Sequence, residues 1–162
     1  MPVTKFARLL DVLADLDKPL IAAVNGLAVG FGATLLLYCD VVLLAQSARL
    51  RLPFTELGIV PEAGSTALLP QRVRWPDAMW AVLSSEWVDA DLALRMGLAW
   101  QVVSDSGLDD AAQVAAAKVA ALKPAAVAAT KRLMVAGRAD QLRAAVTREL
   151  EELRALTPAA AG

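Results

Sequence analysis

Ile21-Ala-Ala-Val-Asn-Gly-Leu-Ala-Val-Gly-Phe-Gly-Ala-Thr34 is the most informative stretch of this sequence. Its hydrophobic pattern predicts a buried strand that leads through three glycines, at positions 26, 30 and 32, into an apolar helix. Such a junction brings backbone N–H groups to a helix N-terminus, where they can stabilise a developing negative charge. The glycines fit neither the G-x-G-x-x-G nucleotide pattern nor a Walker loop, so phosphate binding is not indicated. Alternatively, they serve only the close packing of the backbone.

The composition indicates one heavily buried domain. The 162 residues are 57% apolar and 20% charged, with a formal net charge of -1. A chain of this length can bury a single core, and its small charge provides no footprint for nucleic acid or an anionic membrane. The longest apolar run is too short to span a bilayer, and the charges between Lys5 and Asp17 are atypical of a secretory signal. We therefore expect a cytoplasmic protein without a nucleic-acid or membrane partner.

The absence of histidine narrows the possible chemistry. The sequence has no histidine and a single cysteine, Cys39. Catalysis by Ser-His-Asp or Cys-His groups is therefore excluded, and most zinc or iron sites are disfavoured. Cys39 lies in an apolar run and is interpreted as a small buried side chain in a reducing compartment. Any acid–base catalysis would use a carboxylate, and no metal is implied.

The hydrophobic periodicity predicts an α/β protein whose strands lie mainly in its first half. Strands are predicted over residues 20–24, 40–45, 49–52 and 100–103. Helices are predicted over residues 4–16, 31–38, 65–72, 77–84, 89–96, 108–122, 124–136 and 138–156. A loop rich in glycine and proline is predicted over residues 53–65.

These elements suggest a division of the chain into three parts. The parts are a core over residues 1–104, a helical region over residues 105–156 and a flexible tail over residues 157–162. One face of the last predicted helix carries the apolar stripe Leu142, Val146, Leu150 and Leu153. Charged residues that include Glu149 flank this stripe, which we interpret as packed on the domain or on a neighbouring subunit. Three or four short strands cannot cover so many apolar helix faces, so we expect an oligomer or a chain that lacks a piece.

Several motifs in order along the chain resemble those of the crotonase (enoyl-CoA hydratase/isomerase) superfamily. They are Lys18-Pro-Leu-Ile-Ala-Ala-Val-Asn-Gly26, Gly30-Phe-Gly32, Cys39-Asp40, Pro53-Phe-Thr-Glu-Leu-Gly58, Val60-Pro-Glu-Ala-Gly64 and Ala90-Asp-Leu-Ala-Leu-Arg-Met-Gly-Leu98. The resemblance extends from about Pro2 to Leu153, and its strength lies in the order and spacing of the motifs. It implies a partial crotonase (ClpP-like) spiral of ββα units, followed by helices that assemble homotrimers or hexamers.

The resemblance also implies a chemistry. Members of the superfamily bind acyl-CoA thioesters, and two backbone N–H groups stabilise the enolate that forms from them. Phe31 falls at the position of one of these donors, and only its N–H is needed. We expect the substrate to lie against Ala28, Gly30, Gly32, Thr34 and Phe54. Coenzyme A is then part of the substrate, and no separate cofactor is implied.

The sequence departs from the pattern of the hydratases in the superfamily. They use two glutamates to add water, and the matching positions here are Thr34 and Phe54. The Δ3-Δ2-enoyl-CoA isomerases instead use one glutamate in the later turn, where Glu62 falls. Glu62 would move a proton from C2 to C4, and its apolar neighbours suit a raised pKa. Glu56, on the same loop, is the alternative base.

The resemblance further suggests that the chain is truncated. The superfamily has an N-terminal part that supplies early strands, the other oxyanion donor and much of the coenzyme A pocket. We therefore expect an enzyme of the isomerase branch, in fatty-acid metabolism. The alternatives are an impaired remnant that only oligomerises or binds acyl-CoA, and a hydratase with an atypical base.

Overall fold

The computed structural model describes the backbone of residues 3–156 and the side chains of residues 5–156. The predicted tail, 157–162, lies outside the described residues. The described helices are α1 (Val3–Ala14), α2 (Phe31–Thr34), α3 (Ser65–Arg72), α4 (Trp75–Ser84), α5 (Ala90–Met96), α6 (Leu108–Ala120), α7 (Pro124–Ala136) and α8 (Ala139–Leu156). The described strands are β1 (Ile21–Val24), β2 (Leu27–Val29), β3 (Val41–Ala45), β4 (Arg49–Arg51), β5 (Val88–Asp89) and β6 (Gln101–Val103). Short 3₁₀ helices span Leu35–Tyr38 and Asp105–Gly107.

Two small sheets form the centre of the described chain. The first has the order β1-β3-β6 with all strands parallel, and Ile21 is in register with Val41. In the second, β4 lies between a parallel β2 and an antiparallel β5. The residues Val42, Leu43 and Leu44 of β3 are fully buried, as expected for a central parallel strand covered on both faces. The α/β class expected from the sequence is therefore confirmed.

The predicted number of strands was too low. The described residues form six strands, because β2 and β5 were not predicted. Strand β2 lies between Gly26 and Gly30, where the glycines were interpreted as a junction between a strand and a helix, and β5 has only two residues and leads directly into α5. The predicted helix over residues 31–38 was also only partly correct. It is α-helical to Thr34 and continues as a 3₁₀ helix to Tyr38, a tightening that is common at helix ends.

The helices after residue 104 pack directly on the preceding elements. Helix α6 covers β1 and β3, and α8 lies against α3. Lys131 of α7 is only 8% exposed and donates from Nζ to Asp40 Oδ2 at 2.8 Å and to the Lys18 carbonyl at 2.7 Å. The carboxylate of Asp40 also accepts the Leu20 N–H at 2.7 Å. Lys131 therefore ties α7 to the segment between α1 and β1.

The tryptophans are not core residues. Trp75, Trp80 and Trp100 are exposed, whereas the half-buried Trp87 lies under the guanidinium groups of Arg49 and Arg51. The core is built instead mainly from aliphatic side chains, together with Tyr38 and Phe54. No helix in the described part of the chain combines the length and apolar character needed to cross a membrane.

Candidate active site

The glycine-rich stretch makes a sharp turn between β2 and α2. Gly30 has φ 56° and ψ −120°, and its N–H donates to the Arg51 carbonyl at 3.0 Å. L-residues rarely adopt this conformation. A Cβ added to Gly30 would meet nothing within 4 Å, so the backbone conformation, and not a lack of space, requires glycine.

Phe31 occupies the first position of α2, directly after this turn. The N–H groups of Ala33 and Thr34 both donate to the Gly30 carbonyl at 3.0 Å. The Phe31 N–H has no acceptor among the described residues, as is usual for the first N–H groups of a helix. The Phe31 ring is held edge-on by the Phe6 ring of α1, with 5.3 Å between centroids. The turn therefore presents a backbone donor beside a fixed aromatic ring.

Glu62 lies opposite α2, in the turn before α3. The Thr34 hydroxyl lies 3.3 Å from Glu62 Oε1 and also 3.3 Å from the Phe31 carbonyl, so its single hydrogen can serve either acceptor. Burial raises the pKa of Glu62 above the usual range of a glutamate. The hydrogen bond from Thr34 opposes this increase, and the nearby charge of Glu149 adds to it.

A cavity of about 350 Å³ opens beside Glu62 between α1 and α8. Its apolar walls include Phe6, Leu10, Val146, Leu150 and Leu153. Glu62 and Glu149 are the two carboxylates that line it. A carboxylate in an apolar cavity of this size has the surroundings of a general acid or base.

The backbone after Glu62 adopts an unusual conformation. Ala63 and Gly64 both have left-handed φ values, 63° and 68°. The Tyr38 hydroxyl donates to the Ala63 carbonyl at 2.8 Å. A Cβ on Gly64 would lie 2.1 Å from Leu142 Cδ1, so this position requires glycine for space as well as for conformation. The turn is thus built against the helix α8.

Glu149 of α8 holds the start of α3. Its side chain is only 5% exposed, and its carboxylate accepts the Gly64 N–H at 2.6 Å and the Thr66 N–H at 2.9 Å. The Thr66 hydroxyl donates to the same carboxylate at 2.6 Å. Burial raises the pKa of Glu149, and the bonds from Thr66 and Gly64 oppose the increase. Glu149 thus supplies a cap that comes from a distant helix.

This role of Glu149 was not predicted from the sequence, where Glu149 is one of the charged residues that flank the apolar stripe of the last helix. The sequence nevertheless contains a pattern that indicates a packed position for Glu149. It follows Leu142 and Ala145 at intervals of three and four residues, and all three side chains are buried. Helical spacing thus placed a carboxylate on the packed face of α8.

The residues proposed from the sequence fall into two groups. Phe31, Thr34 and Glu62 come together at α2, with Gly30 and Gly32 in the adjoining backbone. Ala28 and Phe54 lie in the hydrophobic core, where Phe54 is 4% exposed.

The alternative base, Glu56, lies elsewhere. It is exposed and forms an ion pair with Arg51. It does not line the cavity beside Glu62. Within the described residues, no three side chains of the types His, Cys, Asp and Glu are arranged to hold a metal ion.

A comparison with protein families supports the resemblance that the sequence motifs suggested. Residues 2–160 match the family described as Enoyl-CoA hydratase/isomerase. The chain belongs to this family.

Curated relatives carry several different activities in their names. A probable enoyl-CoA hydratase of Rhodobacter capsulatus is 39% identical over 145 residues, which are 90% of this chain and 56% of the relative. The 1,2-epoxyphenylacetyl-CoA isomerase of Escherichia coli is 46% identical over 101 residues, which are 62% of this chain and 38% of the relative. The chain therefore spans about half of the length of such relatives, or less.

Solved structures share the fold. An enoyl-CoA hydratase/isomerase from Pseudoalteromonas atlantica superposes with a TM-score of 0.91 at 37% identity, over 95% of this chain and 62% of that one. An enoyl-CoA hydratase from Mycobacterium avium subsp. paratuberculosis superposes with a TM-score of 0.90 at 31% identity, over 96% of this chain and 64% of that one. The expected crotonase fold, with its helical C-terminal region, is therefore confirmed.

Proposed function

We propose that this chain contributes an acyl-CoA site that shifts a double bond, converting a 3-enoyl-CoA into its conjugated 2-enoyl isomer. The observation that supports this proposal most directly is the position of Glu62. Its carboxylate lies in an apolar cavity, 3.3 Å from the Thr34 hydroxyl and beside the first turn of α2. One acid–base group next to a backbone donor is sufficient for this reaction.

In the proposed reaction, Glu62 acts twice. Its carboxylate takes a proton from C2 of the thioester, and the electron pair of that C–H bond enters a dienolate whose negative charge lies on the thioester oxygen. The protonated Glu62 then gives the same proton to C4, and the double bond comes to lie between C2 and C3. A raised pKa suits both steps, because the group must accept a proton and also return it.

The start of α2 would stabilise the intermediate. The Phe31 N–H has no acceptor among the described residues, and it stands at the positive end of the helix turn. We propose that it donates to the thioester oxygen when the charge develops there. The Thr34 hydroxyl would orient the Glu62 carboxylate for the proton transfer.

Hydration is the second candidate, since the relative from Rhodobacter capsulatus is named a probable hydratase. In this family it is associated with two glutamates, which Thr34 and Phe54 replace here. Glu149 is a second carboxylate in the cavity, but both of its oxygens already accept hydrogen bonds from Gly64 and Thr66. A carboxylate held in this way is poorly suited to move protons, which favours isomerisation.

The proposal includes partners. Coenzyme A would enter as part of the substrate, and no resident cofactor is proposed.

We also propose a homotrimer or hexamer. The side chains of Leu133 and Met134 of α7 support it, because they are apolar and 78% and 77% exposed. Sedimentation of the purified protein would test the assembly, and a monomer at micromolar concentration would contradict it.

Turnover of a 3-enoyl-CoA tests the central proposal. Formation of the conjugated thioester would be followed by absorbance for the wild type, Glu62→Gln and Glu56→Gln. We expect the loss of Glu62 to lower kcat by roughly 10² to 10⁴, the usual contribution of general acid–base catalysis. Glu56→Gln is the matched control and should keep the wild-type rate, because Glu56 pairs with Arg51 away from the cavity.

Two outcomes would contradict this function. If Glu62→Gln turns over as fast as the wild type, Glu62 is not the proton shuttle. If the wild type binds acyl-CoA without turnover, the chain is the impaired remnant considered above. Hydration of a 2-enoyl-CoA by the wild type, without isomerisation, would favour the second candidate.

A further inference from the structure

One peptide group next to Glu62 is held at both of its polar atoms. The carbonyl of Ala63 and the N–H of Gly64 belong to the same planar unit. The Tyr38 hydroxyl donates to this carbonyl at 2.8 Å, and the Glu149 carboxylate accepts from this N–H at 2.6 Å. We refer to this unit as the Ala63–Gly64 peptide.

The two side chains approach the peptide from different parts of the fold. Tyr38 ends the 3₁₀ helix after α2 and is 2% exposed, whereas Glu149 comes from α8. Both bonds are shielded from water, where a lost partner is costly. The peptide is therefore fixed by the tertiary structure and not by its own local sequence.

The conformation that these bonds hold is otherwise unfavourable. Ala63 has φ 63°, in the left-handed region that a residue with a Cβ rarely adopts. Such a conformation persists where the surroundings determine it from more than one side. Because Ala63 directly follows Glu62, relaxation of this peptide would change the direction in which the Glu62 side chain leaves the backbone.

We propose that Tyr38 and Glu149 are positioning residues, which clamp the Ala63–Gly64 peptide so that Glu62 points into the cavity. The proposal rests on the role suggested above for Glu62 and adds two residues that need not touch the reacting atoms. Tyr38 does not line the cavity at all. Glu149 lines the cavity, but its oxygens are engaged with the backbone at the start of α3.

The clamp should also influence the pKa of Glu62, because the groups around Glu62 shift this pKa in opposite directions. Glu149 of α8 raises the pKa of Glu62 by its charge, while the Thr34 hydroxyl of α2 lowers it. Tyr38 is itself influenced by Glu149, Glu62, Arg138 and Asp11, and burial raises its pKa well above the ordinary value, so it stays a hydrogen-bond donor. Loss of the clamp should let Glu62 reach water, and its pKa should then fall.

Three variants test the clamp. Tyr38→Phe removes the bond to the Ala63 carbonyl with little change of shape. Glu149→Gln keeps one acceptor oxygen but turns an N–H group towards a backbone donor. Asp40→Asn is the matched control, because Asp40 also accepts a backbone N–H and a side-chain donor, but at the segment before β1 and away from Glu62.

Two measurements would be made on each folded variant. The first is the titration of the Glu62 side-chain carboxyl carbon by ¹³C NMR, which requires no activity, and the second is kcat and KM for the 3-enoyl-CoA. We expect the pKa of Glu62 to fall in Tyr38→Phe and to stay at the wild-type value in Asp40→Asn. In Glu149→Gln it should fall further, because the charge that raises this pKa is removed as well, so Tyr38→Phe is the variant that tests the clamp. Misplacement of a reacting group costs on the order of 10²-fold in rate, so kcat of Tyr38→Phe should fall by about that factor with KM unchanged.

The outcomes separate the two proposals. If the wild type shows no turnover but the titration of Glu62 shifts in Tyr38→Phe and not in Asp40→Asn, the clamp stands and the isomerase function fails. If Glu62 titrates as in the wild type in Tyr38→Phe, the clamp is rejected, whatever the activity. An equal shift in Asp40→Asn would also reject it, because the effect would then reflect general loss of stability. If Glu149→Gln does not fold, the titration of Glu62 in Tyr38→Phe still tests the clamp.

Discussion

The Glu149 carboxylate accepts a hydrogen bond from the Gly64 N–H at 2.6 Å, although 85 positions separate the two residues in the chain. This bond joins the last described helix to the turn that carries Glu62. It is supported by the contact of Gly64 with Leu142, which lies two turns earlier on α8. The candidate active site therefore depends on the packing of α8, even though its reactive groups lie between residues 30 and 62.

The pH dependence of turnover in a Thr34 variant should show whether Glu62 is the catalytic base. Glu62 must be ionised to take a proton, so kcat/KM should fall as the pH drops below its pKa. The Thr34 hydroxyl lowers this pKa by its hydrogen bond. In Thr34→Val we therefore expect the pKa to rise and the acid limb of the kcat/KM profile to move to higher pH.

Thr55→Val is the control for that profile. The Thr55 hydroxyl bonds to the Val82 and Leu83 carbonyls and to Ser85, not to Glu62. Its profile should overlay that of the wild type. An acid limb that stays in place in Thr34→Val, or moves to lower pH, would contradict the assignment of the base.

Gly64→Ala should lower the free energy of unfolding strongly. The residue has φ 68°, and its new Cβ would lie 2.1 Å from Leu142 Cδ1. A left-handed conformation for a residue with a Cβ costs about 1–3 kcal/mol, and overpacking costs about 1–3 kcal/mol more. We expect a loss of roughly 2–6 kcal/mol in urea unfolding.

The matched control is Gly137→Ala, where φ is −64° and an added Cβ meets nothing within 4 Å. This change should be neutral or stabilise the protein by up to about 1 kcal/mol. Similar losses in the two variants would show that the environment of Gly64 is not the cause.

Stability should depend on pH through Glu62. Burial raises its pKa in the folded protein above the unfolded value, so the folded state binds this proton more tightly. The resulting stabilisation is complete below about pH 4.3, the unfolded pKa, and is lost as the pH rises through the folded pKa. The free energy of unfolding of the wild type should therefore fall relative to that of Glu62→Gln across this window. Urea unfolding at a series of pH values measures the difference, and a constant difference would disagree with the raised pKa.

Lys131→Met should destabilise the junction between α7 and β1. The substitution leaves the Asp40 carboxylate without its cationic partner and the Lys18 carbonyl without its donor. Breaking a buried pair costs about 3–5 kcal/mol, and since Asp40 is 29% exposed we expect about 1–3 kcal/mol in urea unfolding.

Arg132, the next residue in the chain, offers a control for the ion pair between Lys131 and Asp40. Arg132 is exposed and lies 3.7 Å from Asp17, so Arg132→Met should cost about 0–1 kcal/mol. If the two variants lost equal stability, the ion pair of Lys131 would have no special role.

Local sequence patterns were sufficient for most of the elements. The Val-Val-Leu-Leu run of β3 predicted a buried central strand, and Pro124 marked the start of α7. Strand β2 was missed because it lies within the glycine-rich stretch that suggested a turn into a helix, and β5 because its two residues show no period. Trp75, Trp80 and Trp100 are large and apolar yet exposed, because composition does not determine which large side chains the other elements cover.

The sequence by itself determined the family, through the order and spacing of its motifs, and the glycine turn before Phe31, because the backbone requirement of that turn is local. Only the tertiary structure decided that Thr34 lies beside Glu62, and that Tyr38 and Glu149 hold the peptide that follows it. These contacts join residues 25 to 85 positions apart. They arise from the packing of α8 against α3 and of the 3₁₀ helix beneath the turn, and no local pattern specifies which of many buried polar groups will meet.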